Sequence, residues 1–154
     1  MRLLIVIFAL LCVGSTAAAA GELVDGQKVF AKCKACHDVG PTAKNKVGPI
    51  LNGVVGRPWG VVVGYKYSAN KEGTLLAITE AEPMTWDVET LTNYLRKPKD
   101  VIPKGTMSFA GLKKDEDIEN VILYLAQFDA DGNEVDPEEI LSALEESTSQ
   151  EPAD

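Results

Sequence analysis

Cys33-Lys34-Ala35-Cys36-His37 decides how the rest of this chain is read. A Cys-x-x-Cys-His run is the pattern by which a c-type haem is attached covalently. Two cysteines three apart on a helical turn lie on one face, so both thiols can add to the two vinyl groups along one porphyrin edge. The adjacent histidine then reaches the iron and supplies one axial bond. Other chemistries match the chain less well. A zinc site takes four ligands as a rule, and beyond residue 20 the chain holds two cysteines and one histidine. A thioredoxin-like dithiol follows a strand in a βαβ pattern, which the glycine-rich sequence here lacks.

Working outward, residues 23–33 read as a short amphipathic helix that delivers the motif, with Val29, Phe30 and Cys33 on its apolar edge. Gly26 is a poor helix former, so its presence implies close approach by another segment. Residues 38–67 are loop, punctuated by Gly40-Pro41, Gly48-Pro49, Gly53, Gly56, Pro58, Gly60 and Gly64, and residues 68–71 can make one helical turn before Gly73. Residues 75–83 read as a semi-apolar loop. A helix then starts at the N-cap Asp87, carries Val88, Leu91, Tyr94 and Leu95 on one face, and stops at Lys97-Pro98. Residues 102–112 show neither helical nor strand period. Asp115, Glu116 and Asp117 put negative charge at the next helix start, and Ile118, Val121, Ile122 and Leu125 follow at i, i+3, i+4 and i+7. Asp129-Ala130-Asp131-Gly132-Asn133 imitates the opening of a calcium loop. The sixth position is Glu134 and the twelfth Ile140, so it reads as a turn.

At 154 residues and 45% hydrophobic content, one globular domain is expected. The net charge of −8 is unevenly spread: residues 129–154 hold ten acids and no base, while 21–128 hold fourteen Lys and Arg against thirteen Asp and Glu. The tail is therefore expected to be a largely mobile acidic extension, with at most a short helix from Asp136-Pro137 through Leu144. Residues 1–20 have the basic, apolar and small-residue regions of a secretory signal cleaved after Ala20. The rival is a retained anchor, since residues 3–20 carry no charge. Export to the periplasm agrees with a c-type haem, which is fitted on the outer side of the bacterial membrane.

The second axial ligand is argued by exclusion. His37 is the only histidine, so bis-histidine ligation within one molecule is impossible, and Met/His ligation is the usual low-spin alternative. Met84 and Met107 remain, and either could instead be a gap-filling core residue. Met107 lies in the Pro- and Gly-rich stretch between two helices, where backbone can wrap one side of a haem. Met84 sits two residues before a core tryptophan.

Several ordered stretches carry a family likeness: Cys33 to His37, Val47-Gly48-Pro49, Gly53-Val54-Val55-Gly56-Arg57, Gly64-Tyr65-Lys66-Tyr67, Thr85-Trp86, Thr90 to Leu95, Ile102 to Met107 and Phe109-Ala110-Gly111-Leu112. Over about residues 23–128 the chain resembles a class I cytochrome c of the mitochondrial and purple-bacterial cytochrome c-two type. The resemblance implies an all-α cytochrome c fold, three to five helices wrapped around one covalently bound haem c, with long Gly/Pro-rich loops, in a domain of residues 21–128. It implies Cys33 and Cys36 as attachment points and His37 and Met107 as iron ligands. Pro49 is implied to hold the other nitrogen of His37, Tyr67, Trp86 and Arg57 to serve a haem propionate, Tyr94 to sit beside the Met sulfur, and Phe109 to lie over the haem edge. It also implies a monomeric electron carrier with no catalytic residue and no nucleic-acid partner. The implied partners are a quinol:cytochrome c oxidoreductase and a terminal oxidase or photosynthetic reaction centre. They would dock through a ring formed by Lys32, Lys34, Lys44, Lys46, Lys97, Lys99, Lys104, Lys113 and Lys114. The chain departs from the mitochondrial pattern in a longer 75–84 segment, in Thr106 where lysine is common, and in the acidic tail.

Overall fold

The computed structural model describes residues 16–68 and 72–149, with side chains described at 22–68 and 72–147. Residues 1–15 of the expected export signal and most of the helical turn expected at 68–71 lie outside that range. Six helices are described: α1 Thr16–Phe30, α2 Leu75–Ala81, α3 Val88–Arg96, α4 Pro98–Val101, α5 Asp115–Ala126 and α6 Pro137–Ser149. Strand-like pairing among the described residues is confined to two isolated bridges, Pro58 with Thr85 and Phe128 with Glu134. The expected cleavage position after Ala20 falls within α1, and no helix among the described residues is long and apolar enough to cross a membrane.

The core is the crossing of α1 and α5. At Gly26 a side chain would run into the Asn120 carbonyl and come within 2.7 Å of Tyr124 Cβ, which explains a glycine in mid-helix. One turn on, the Phe30 and Tyr124 rings lie 5.4 Å apart. The acids of the first turn of α5 complement its positive end. Its burial exceeds the expected stripe, since Leu123, Tyr124 and Ala126 are buried together with Ile118, Val121, Ile122 and Leu125. The reason is that α1, α3 and α6 all pack against it.

Asp87 caps α3 as expected, accepting from the Thr90 N–H at 2.7 Å. Pro98 both ends α3 and opens the single turn of α4, a position where its missing N–H costs nothing. Arg96 and Asp115 tie α3 to α5 at 2.6 Å, with both side chains largely in water. Asp115→Asn is therefore expected to change stability by less than about 1 kcal/mol, which a shift in the urea midpoint would measure.

Four elements differ from expectation: α1 starts at Thr16 and ends at Phe30 instead of spanning 23–33, α4 adds a turn where only a stop was expected, and α2 and α6 depart as follows. The segment expected as a loop at 75–83 contains α2, a helix too short to display a period. It forms because Leu75 and Ile78 have the core to pack on. In the tail, residues 137–149 form a helix five residues longer than expected. Its Ile140, Leu141 and Leu144 pack on the core instead of facing water. The preceding segment is a closed turn in which Asp129 Oδ1 accepts from the Asp131 and Asn133 N–H groups at 2.9 and 2.8 Å.

Candidate haem site

Past Phe30, α1 tightens into turns. Cys33 N–H donates to the Phe30 carbonyl at 2.8 Å, Cys36 N–H to the Cys33 carbonyl at 3.0 Å and His37 N–H to the same carbonyl at 2.9 Å. Both thiols are free, Cys36 exposed and Cys33 half-buried. Burial pushes the Cys33 thiol up, partly offset by Lys32.

His37 Nδ1 donates to the Pro49 carbonyl at 2.7 Å, which fixes the ring and leaves Nε2 free of this bond. Burial lowers its pKa against the opposing effect of that hydrogen bond, with Arg57 and Lys46 adding to the lowering. The imidazole is thus favoured as the neutral, metal-binding form. Gly48 makes the approach possible, since a Cβ there would sit 2.7 Å from both ring nitrogens.

Across the 102–114 loop, Tyr94 Oη donates to Met107 Sδ at 3.7 Å. Burial pushes that hydroxyl up to about 12. The loop is anchored by Leu112 N–H on the Leu95 carbonyl and Lys104 N–H on the Gly73 carbonyl, both 2.8 Å. Phe109 packs half-buried on the core. Met84 also packs there, and its carbonyl accepts from the Trp59 N–H at 2.9 Å, so it is held within the core.

Arg57 donates from Nη1 to the Asn52 carbonyl at 2.7 Å and from Nη2 to the Ile50 carbonyl at 3.2 Å. Burial lowers its pKa, and the charge of nearby Tyr67 acts the other way. Tyr67 Oη accepts from the Val62 N–H at 3.3 Å. Trp86 is buried, its ring 4.9 Å from Tyr94 and stacked at 4.4 Å on Trp59. Trp59 is the residue sequence reading missed. It is 2% exposed and its Nε1 has no partner among the described residues; the Thr79 hydroxyl is likewise unpartnered. A tryptophan in a Pro/Gly stretch carries no periodic signal, and only its context in the fold marks it. Buried donors normally find an acceptor, and a haem carboxylate is one.

Two unpaired thiols, an imidazole held by one nitrogen, a thioether under a hydroxyl and orphaned buried donors fit a covalently held haem. These features define a c-type haem protein. Residues 23–129 match the family model for cytochrome c. A cytochrome c2 of Blastochloris viridis is 41% identical over 134 residues, covering 86% of this chain and 98% of that one. A cytochrome c-550 of Nitrobacter winogradskyi is 45% identical over 113 residues, 73% of this chain and 95% of the relative. The solved structure of a cytochrome c2 from Rhodospirillum centenum matches with a TM-score of 0.61 at 36% identity, covering 70% of this chain and 98% of that one. The chain belongs to the cytochrome c family and carries covalently bound haem c.

Proposed function

We propose that the protein is a one-electron carrier in which Cys33 and Cys36 would hold the porphyrin and His37 and Met107 would bind the iron. The observation that carries this reading is the Tyr94 hydroxyl directed at the Met107 sulfur, 3.7 Å away. When bound, haem c supplies a one-electron Fe(II)/Fe(III) couple, whose potential thioether ligation raises. The chain's residues do the rest. Pro49 keeps His37 in one tautomer and orientation, Tyr94 steadies the thioether, and Phe109 covers the cofactor edge. Arg57, Tyr67 and Trp86 serve its carboxylates, with Trp59 as a further donor on the stack.

With His37 and Met107 both committed to the iron, no position would be left for substrate or oxygen, and the protein would not be an enzyme. The rival class, a haem enzyme or gas sensor, needs an exchangeable sixth ligand. Carbon monoxide added to the reduced protein at neutral pH is expected to leave the spectrum unchanged on mixing. Rapid formation of a carbonyl adduct would move the protein to the rival class.

The carrier works in the periplasm after removal of residues 1–20, between a quinol:cytochrome c oxidoreductase and a terminal oxidase or reaction centre. Lys32, Lys46 and Lys97 have ion-pair partners in Asp117, Asp38 and Asp100, the first two partly buried and the third exposed. Such pairs are weak and leave the positive field of the lysine ring largely available for steering. Electron-transfer rates with these partners are expected to fall steeply as salt shortens the Debye length to about 8 Å at physiological ionic strength. Rates that stay flat from low to high salt would exclude steering by this ring.

A further inference from the structure

The family match ends at residue 129, yet the chain continues into a helix that packs on the outside of the loop carrying Arg57. We propose that α6 positions the carboxylate side of the haem site: Leu144 braces the 53–57 loop at Gly56 and holds Arg57 in place. The inference rests on the role given to Arg57 above.

The contact is close at Leu144 and opens into a groove beside it. A Cβ on Gly56 would lie 2.8 Å from Leu144 Cδ2. Beside it Ile140 lines, with Gly53, Val55, Gly56 and Arg57, an open groove of about 300 Å³ between the tail and the loop. Gly53 N–H donates to the Phe128 carbonyl at 2.9 Å, so the loop is fastened where the tail begins. From the other side, Gly56 N–H donates to the Trp86 carbonyl at 2.8 Å and Trp86 N–H to the Arg57 carbonyl at 2.9 Å. The Arg57 guanidinium then reaches back to Ile50, the neighbour of the carbonyl that holds His37. A displacement at Gly56 is thus passed through hydrogen bonds to both Arg57 and Trp86.

Ferrous haem carries one positive charge fewer than ferric haem. A fixed cation and a dry surrounding both favour it, so loosening the loop lowers the potential. Deleting α6 would confuse the sign, since it also removes Glu138, Glu139, Glu145 and Glu146, anions that favour the ferric form. A neutral substitution separates packing from charge.

The test uses full-length holoprotein. Leu144→Asn is expected to lower the ratio of reduced to oxidised protein about threefold at fixed ambient potential, equivalent to about 30 mV at 59 mV per tenfold. Leu144→Met should restore it, and in an Arg57→Gln background Leu144→Asn should add a clearly smaller shift, what remains passing through Trp86. Leu144→Ala reads the same ratio if asparagine costs too much stability. An unchanged ratio in Leu144→Asn and Leu144→Ala, or an equal shift with and without Arg57, would overturn the proposal and leave α6 as a stabilising helix only. Loss of the near-infrared methionine-to-iron band in wild-type protein would instead overturn the ligand assignment, while the Leu144–Arg57 coupling would still be read from the ratio.

Discussion

Met107→Ala lowers the reduction potential by on the order of 0.1–0.3 V, within the span of about 0.8 V that axial ligands command. The thioether favours ferrous iron, and among the described residues the one other methionine, Met84, is not placed to take over. Met84 packs on the core and is tied through its carbonyl to Trp59. Met84→Ala therefore acts through packing, costing about 1–3 kcal/mol for a half-buried side chain, and leaves the potential close to wild type. Spectroelectrochemical titration of both variants checks the pair. A large fall in Met84→Ala with none in Met107→Ala would reverse the assignment.

Gly26→Ala destabilises the protein by about 2 kcal/mol or more, although the same change in an isolated helix would stabilise it by about 1 kcal/mol. The contact decides the sign. The new methyl meets the Asn120 carbonyl and the Tyr124 Cβ, neither of which is the end of a flexible side chain. The two helices must move apart, and the Phe30–Tyr124 contact loosens with them. A lowered urea midpoint is expected, and an unchanged or raised one would show that the crossing has room.

The haem motif, the Asp87 cap and the apolar face of α5 could be read from residues because each is local: a spacing, a side-chain acceptor, a period. Gly26 could be read as a close approach without the approaching atoms being known. Helix α2 could not be read, because seven residues make too little of a period to separate a helix from an apolar loop. The tail misled for a different reason. Its composition is that of a solvated chain, and three apolar residues have little to bury until Gly56, far off in sequence, supplies a surface. Trp59 belongs with it, since its neighbours in space, Trp86 above all, are set by the fold. Exclusion narrows the ligand candidates because the chain has a single histidine and, beyond residue 20, two methionines.

The most direct test of the account is the near-infrared absorption of the oxidised protein, where a methionine-to-iron charge-transfer band reports a thioether bound to ferric haem. The account predicts the band in wild-type protein and in Met84→Ala, and its loss in Met107→Ala. A wild-type spectrum without the band, or a band that survives Met107→Ala, would contradict His37/Met107 ligation.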